Sequence, residues 1–176
     1  NLEKKDNEFQ YVVLEGLDLK PNQYIKIEND ANILLCNGDL NLIFYNDSKS
    51  MKVKVDNYEN VNLSIKSQVD STIEIDANTN DNVKKNISIN TNSEISKPIT
   101  IKIGDNVDSI KMDSVNLYST GSFIVSQSSN KDASLAVKTL IAHKNTNCNI
   151  KNVKIDDIIS ISEKALLNLE NVNLEN

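Results

Sequence analysis

Four Asp and Asn side chains crowd the segment Asp76-x-Asn78-x-Asn80-Asp81. Hard oxygen donors at alternate positions are how a calcium loop begins, because they converge when the backbone curls. The ligand set is incomplete. The sixth position holds Asp81 instead of Gly, and the twelfth holds Ile87 instead of an acid. Asp76, Asn78, Asn80 and Asp81 therefore stand as the calcium candidate, with an ordinary Asn-rich turn as the competing reading. Asp105-Asn106 with Asp108 is a second acidic turn of the same kind. Asp156-Asp157 is a pair of adjacent carboxylates, and glycoside hydrolysis needs two carboxyl groups at a fixed separation. Among 25 acidic residues, however, adjacent acids arise without any task, and a solvated turn is the simpler reading. His143 is the sole histidine, five positions before Cys148. A nucleophile pair would need hydrogen-bond reach and an orienting third group, and nothing in the sequence supplies either.

Other catalytic signatures are missing. There is no Gly-x-Ser-x-Gly phrase and no Gly-rich phosphate loop, and the chain has only four Gly. Cys36 and Cys148 form no Cys-x-x-Cys. They read as two small buried residues, with a disulfide as the alternative. No catalytic residue and no cofactor beyond calcium is expected. The net charge is −6 and every one of the 19 basic residues is Lys. That balance disfavours nucleic acid, which needs a basic surface and is read most often by Arg. It also disfavours an anionic membrane surface. The apolar runs at residues 11–14 and 42–45 are four residues long, far short of a membrane span. The chain starts at Asn and reads as a mature or excised fragment whose export signal lies outside it.

Whatever chemistry these residues do, strands must position them. Alternation of period two runs through the chain. Leu40, Leu42 and Phe44 share one face, as do Met51, Val53 and Val55, then Val61, Leu63 and Ile65. Ile73 and Ile75 continue the pattern, followed by Ile87 and Ile89 and by Ile99, Ile101 and Ile103. Turn-formers separate the runs: Asn37-Gly38, Asn46-Asp47-Ser48, Asp56-Asn57, residues 77–82 and Gly104-Asp105-Asn106. Pro21 and Pro98 fall at the edges of runs, where a missing N–H does least harm. The composition fits a thin aliphatic core. Apolar residues make up 39% and aromatics 5%, while Asn, suited to tight bends, occurs 28 times.

The second half contains a repeat. Asn149-Ile150-Lys151-Asn152-Val153-Lys154-Ile155-Asp156-Asp157 returns 19 positions later as Asn168-Leu169-Glu170-Asn171-Val172-Asn173-Leu174-Glu175-Asn176. Val115, Leu135, Val153 and Val172 are spaced 20, 18 and 19. Asn60-Val61-Asn62-Leu63 carries the same signature upstream. A period near 19 suits a solenoid, in which each coil buries its face on the next. The Asn-Val-x-aliphatic phrase resembles that of the right-handed parallel β-helix proteins, the class of pectate-lyase-like enzymes, phage tailspikes and bacterial surface adhesins. The resemblance is good over residues 109–176 and loose over residues 20–105. The expectation is an all-β right-handed parallel β-helix with coils of about 19 residues. A β-sandwich or a leucine-rich-repeat-like arrangement is the alternative. Residues 1–176 form a single elongated β domain in this reading, a piece of a longer surface protein. The sequence stops mid-signature at Asn176, leaving a coil edge open to self-association.

The resemblance implies function only at the level of class. Pectate lyases use an Arg base, and this chain has none. Polygalacturonases combine paired acids with a Gly-His-Gly phrase and an Arg-x-Lys. Asp156-Asp157 resembles the former, and both of the latter are missing. The expected function is a secreted or cell-surface adhesin-type module whose partner is a surface glycan or a protein. A purely structural stalk and a carbohydrate-active enzyme are the alternatives. Tyr24, Tyr45, Tyr58 and Tyr118 show no periodic stripe that would mark a sugar-binding face.

Overall fold

The computed structural model describes residues 2–175 apart from 6–8, 21, 46–48, 80, 84 and 128. Pro21, the Asn46-Asp47-Ser48 turn, Asn80 and Asn176 therefore lie outside the described residues. Fifteen strands follow one another. They are β1 (Leu2–Lys5), β2 (Phe9–Leu14), β3 (Ile25–Ile27), β4 (Ala31–Leu35), β5 (Asp39–Phe44), β6 (Ser50–Val55), β7 (Asn62–Ser67) and β8 (Ser71–Ala77). Next come β9 (Lys85–Ile95), β10 (Ile99–Ile103), β11 (Val107–Leu117), β12 (Phe123–Gln127), β13 (Ser134–Ala142), β14 (Asn147–Ile161) and β15 (Leu166–Leu174). Among the described residues there is no helix.

Alternate strands stack. One stack runs β2-β4-β6-β8-β10-β12-β14 and the other runs β3-β5-β7-β9-β11-β13-β14. All pairings are parallel except β1 against β2. The chain is a parallel β-solenoid of about seven coils. A sandwich is ruled out, because its hairpins and Greek keys would pair strands antiparallel. The stack also extends through the first hundred residues, where the repeat signature is loose.

The alternating aliphatics form the ladder. Met51, Ile73, Ile101 and Val125 are in register across four strands, and each is buried. Each such side chain contributes roughly 1.5–3 kcal/mol by leaving water. On the second stack, Ser93 and Ser67 interrupt the aliphatic columns yet are fully buried. Ser93 Oγ accepts the Ile65 N–H at 3.2 Å, and Ser67 Oγ donates to the Lys97 carbonyl at 2.9 Å. Among the described residues no buried side-chain nitrogen or oxygen lacks a partner, as a thin core demands.

The coil period differs from expectation. Coils average about 22 residues. The 19-residue step holds between β14 and β15, where Ile150 pairs Leu169 and Val153 pairs Val172. The step is also 19 between β13 and β14 where Thr139 pairs Ile158, and 17 between β3 and β5 where Ile25 pairs Leu42, while loops lengthen other coils, so that Ile75 pairs Ile103 across 28 positions. Unequal loops also break the proposed series of anchors. Val115 pairs Leu140 and Leu135 pairs Ile110, so Val115 and Leu135 belong to different columns. The long strands β11, β13 and β14 bend at register shifts near Asp113, Lys138 and Asp156, where a bulge turns the chain onto a new face.

Candidate functional site

The outward face of the second stack holds the candidate site. Strand alternation turns Ser64 and Lys66 outward on β7, Asn92 and Glu94 on β9, and Asn116 on β11. Register then lines up Lys66, Glu94 and Asn116 across three coils. With Tyr24 and Tyr118 these side chains line a groove of about 230 Å³.

Tyr118 is held by the backbone. Its N–H donates to the Ile95 carbonyl at 2.9 Å, and its carbonyl accepts from Gly121 at 2.8 Å. Gly121 is required there, since a Cβ would sit 2.0 Å from the Ile95 oxygen. Leu117 pairs Ala142, so the next residues, Tyr118 and His143, occupy equivalent places in successive coils. Their rings stack with centroids 4.2 Å apart and planes 9° from parallel. Asn116 Oδ1 lies 3.0 Å from His143 Nε2, so with Oδ1 as acceptor that ring nitrogen carries the proton. One coil earlier the equivalent residue is Ser96, too small to cover the other face of Tyr118.

Charge in the groove is balanced. Lys66 Nζ lies 3.3 Å from Glu94 Oε2 and 5.6 Å from the centre of the Tyr24 ring. Burial pushes the Tyr118 hydroxyl above its ordinary pKa; Glu94 adds to this and Lys66 opposes it. The phenol is therefore a neutral donor at physiological pH. Asn92 Oδ1 accepts from the Ser114 hydroxyl. With both amide oxygens committed, the NH₂ groups of Asn92 and Asn116 have no side-chain partner among the described residues.

Of the calcium candidate, Asp76, Asn78 and Asp81 are described, and each side chain has a partner within the protein. Asp76 is buried, and its Oδ1 accepts the Ala77 N–H at 2.9 Å and the Asn106 N–H at 3.0 Å. It pins the turn after β10, where Gly104 is needed because a Cβ would lie 2.4 Å from the Asp76 side chain. Asn78 bonds Asp56 on the neighbouring coil. Asp81 accepts from Thr79 Oγ at 2.7 Å and the Val83 N–H at 3.1 Å, and these bonds lower its pKa, with Lys85 adding. Asn80 lies outside the described residues. In the second acidic turn, Asp105 accepts from Ser129 and Asp108 from Asn130. Among the described residues no cluster of three His, Cys, Asp or Glu could hold a metal ion.

Asp156 and Asp157 stand exposed at the bend of β14, in a separate cleft of about 410 Å³ with Asp113 and Lys138. His143 and Cys148 are not brought together: His143 stacks outward on Tyr118, and Cys148 is buried in the core. Cys36 and Cys148 are not bridged; Cys36 follows β4, and β14 lies five strands along the same stack. Tyr45 lies under Lys26 at 5.5 Å and Tyr58 under Lys85 at 5.2 Å, both outside the groove. Sequence reasoning missed Lys66, Glu94, Asn92 and Asn116, which share no period with the two tyrosines.

No protein-family profile, no curated protein and no solved structure matches this chain.

Proposed function

We propose that the chain is a binding module, an adhesin-type recognition surface of a secreted or cell-surface protein. The observation that supports it is the groove itself. Aromatic rings at its two ends flank a polar floor, and every floor residue stands on a strand of a continuous parallel sheet. A recognition site built on strands is held more rigidly than one built on loops. The test is a surface-capture assay against polysaccharides, mucin-type glycoproteins and matrix proteins. Binding to a panel member should fall in a Tyr24→Ala/Tyr118→Ala double variant of unchanged melting temperature. Binding that survives the double variant places recognition elsewhere.

A second reading rests on a different observation. Asp113, Asp156 and Asp157 share a cleft with Lys138, and paired carboxyl groups hydrolyse glycosides. Turnover of a polysaccharide, lost in Asp156→Asn, would establish that reading. Binding without turnover supports the module.

A further inference from the structure

We infer that the Tyr24–Tyr118 groove takes a neutral, hydroxyl-rich oligosaccharide laid along the solenoid axis, with Tyr118 as its stacking platform. The inference rests on the binding-module reading and names its ligand class.

Length comes first. Tyr24 directly precedes β3 and Tyr118 directly follows β11, and β5, β7 and β9 lie between those strands. Four strand spacings of about 4.8 Å separate the backbones of the two tyrosines by roughly 19 Å along the solenoid axis, and the Tyr24 ring shortens the gap by reaching to 5.6 Å from Lys66 Nζ on β7. That span exceeds a single sugar ring and suits a short linear chain of them.

Chemistry narrows the class. Among the described residues the charges lining the groove are Lys66 and Glu94, which pair at 3.3 Å. A phosphorylated, sulfated or uronic ligand would have to take Lys66 away from Glu94 and sit beside the carboxylate that remains. A neutral ligand meets no such penalty. The amide donors of Asn92 and Asn116, the Ser64 hydroxyl and the Tyr118 phenol match ligand hydroxyls and ring oxygens. The open face of Tyr118 offers flat apolar area to the C–H face of a sugar ring. His143, stacked at 4.2 Å on the opposite side, keeps that ring from turning away.

A peptide fits less well. Peptides commonly join a sheet at an unpaired edge. β7, β9 and β11 are interior strands, paired on both sides. A folded protein partner would want an apolar interface core, whereas the groove floor is polar.

The experiment is isothermal titration of the intact chain. The probes are linear cello-, manno- and galacto-oligosaccharides of increasing length, with oligogalacturonides as the acidic series. In at least one neutral series, affinity should rise with length and level off once the chain spans both tyrosines. Tyr118→Ala should weaken the longest binder at least tenfold, and Tyr118→Phe much less. Tyr24→Ala should remove the gain from the last rings. Asp132→Asn, exposed in the loop between β12 and β13 and outside both the groove and the cleft, should change nothing. Melting temperatures within experimental error of the wild type keep the comparison valid, and Tyr24→Ala, outside the core, serves where Tyr118→Ala fails to fold. Tighter binding of the acidic series overturns the neutral-sugar class and leaves a binding groove. The same holds if no neutral series binds while capture of a glycoprotein or matrix protein still depends on Tyr24 and Tyr118. If no ligand of any kind responds to the tyrosine variants, the inference and the binding-site reading both fall.

Discussion

Two copies of one phrase lie side by side at the C-terminal end of the solenoid and live in different environments. Ile150 is 0% exposed, while its partner in register, Leu169, is 48% exposed. Ile155 is 2% exposed and its partner Leu174 is 53%. Val153 is buried, while Val172 is only partly so. The inner copy is covered on both sides, by β12 and β13 on one and β15 on the other. The outer copy is covered by β14 alone among the described residues. Burial here is a property of position in the stack. The same alternating pattern contributes most of its stability only when a neighbour lies on each side.

The sharpest way to break that comparison is a buried charge. Val153→Asp should cost more than about 4 kcal/mol and unfold the C-terminal coils, whereas Val172→Asp should cost about 1–2 kcal/mol. Urea denaturation of both variants checks this. Equal losses would mean that the outer coil is as well covered as the inner one.

A thiol probe sharpens it. Burial pushes the Cys148 thiol from 9.0 to about 11. Because the folded-state value is the higher one, the contribution to stability is intact below pH 9. It is lost as pH rises towards 11, by at most about 2–3 kcal/mol at roughly 1.4 kcal/mol per unit. Wild type should therefore lose more stability than Cys148→Ala between pH 9 and 11, which cancels the titration of the lysines common to both. At pH 8 Cys148 should resist a thiol reagent, while a Leu167→Cys thiol at the paired outer position should react readily. Comparable rates would erase the distinction between the coils.

Next come the corner asparagines. Asn152 and Asn171 both have positive φ, 59° and 50°. Asn152 Nδ2 donates to the Val125 carbonyl at 2.9 Å, and Asn171 Nδ2 donates to Asn152 Oδ1 at 2.9 Å. Asn152→Ala should cost about 2 kcal/mol, from left-handed strain together with a lost bond. Asn152→Gly should recover the strain portion, and Asn171→Ala should cost less than Asn152→Ala. Thermal melts of the three variants rank them. The smallest effect belongs to the outward positions: Lys154→Asp should stay within about 0.5 kcal/mol of wild type. A large loss there would mean that the inward register is wrong, because a one-residue slip exchanges the two faces.

Part of the architecture was legible because strand alternation is a local signal. Leu40, Leu42 and Phe44, read as one face, are all fully buried. The Asn149 and Asn168 phrases, read as a repeat, stack in register, with Asn168 bonding Asn149 at 3.1 Å. Lys151 and Glu170, at matching places, pair at 2.6 Å. Other relations were hidden. Val115 and Leu135 fit the period by spacing and stack on other partners, because the loop between β12 and β13 lengthens that coil. Asp76, read as a candidate calcium ligand, is a buried acceptor for the turn one coil away, and nothing local in the sequence indicates that Asn106 lies beside it. On the first stack, burial by itself would lower the Lys52 pKa. Glu74, 3.3 Å away, together with Tyr11 and Asp76 outweighs it, so the net shift is upward.

The sequence by itself determined that the chain is built of strands, which side chains of many of those strands face inward, and where most turns fall. It also marked the final coil as a copy of the one before it. Those properties depend on neighbours two to four positions away, and the side-chain period of a strand records them directly. Only the tertiary structure decided which coils lie side by side. It thereby placed Tyr24, Lys66, Glu94, Asn116 and Tyr118 around one groove. The reason is the variable loop. Each coil closes on its neighbour through backbone hydrogen bonds that ignore loop length, so residues adjacent in space stand at irregular intervals along the chain.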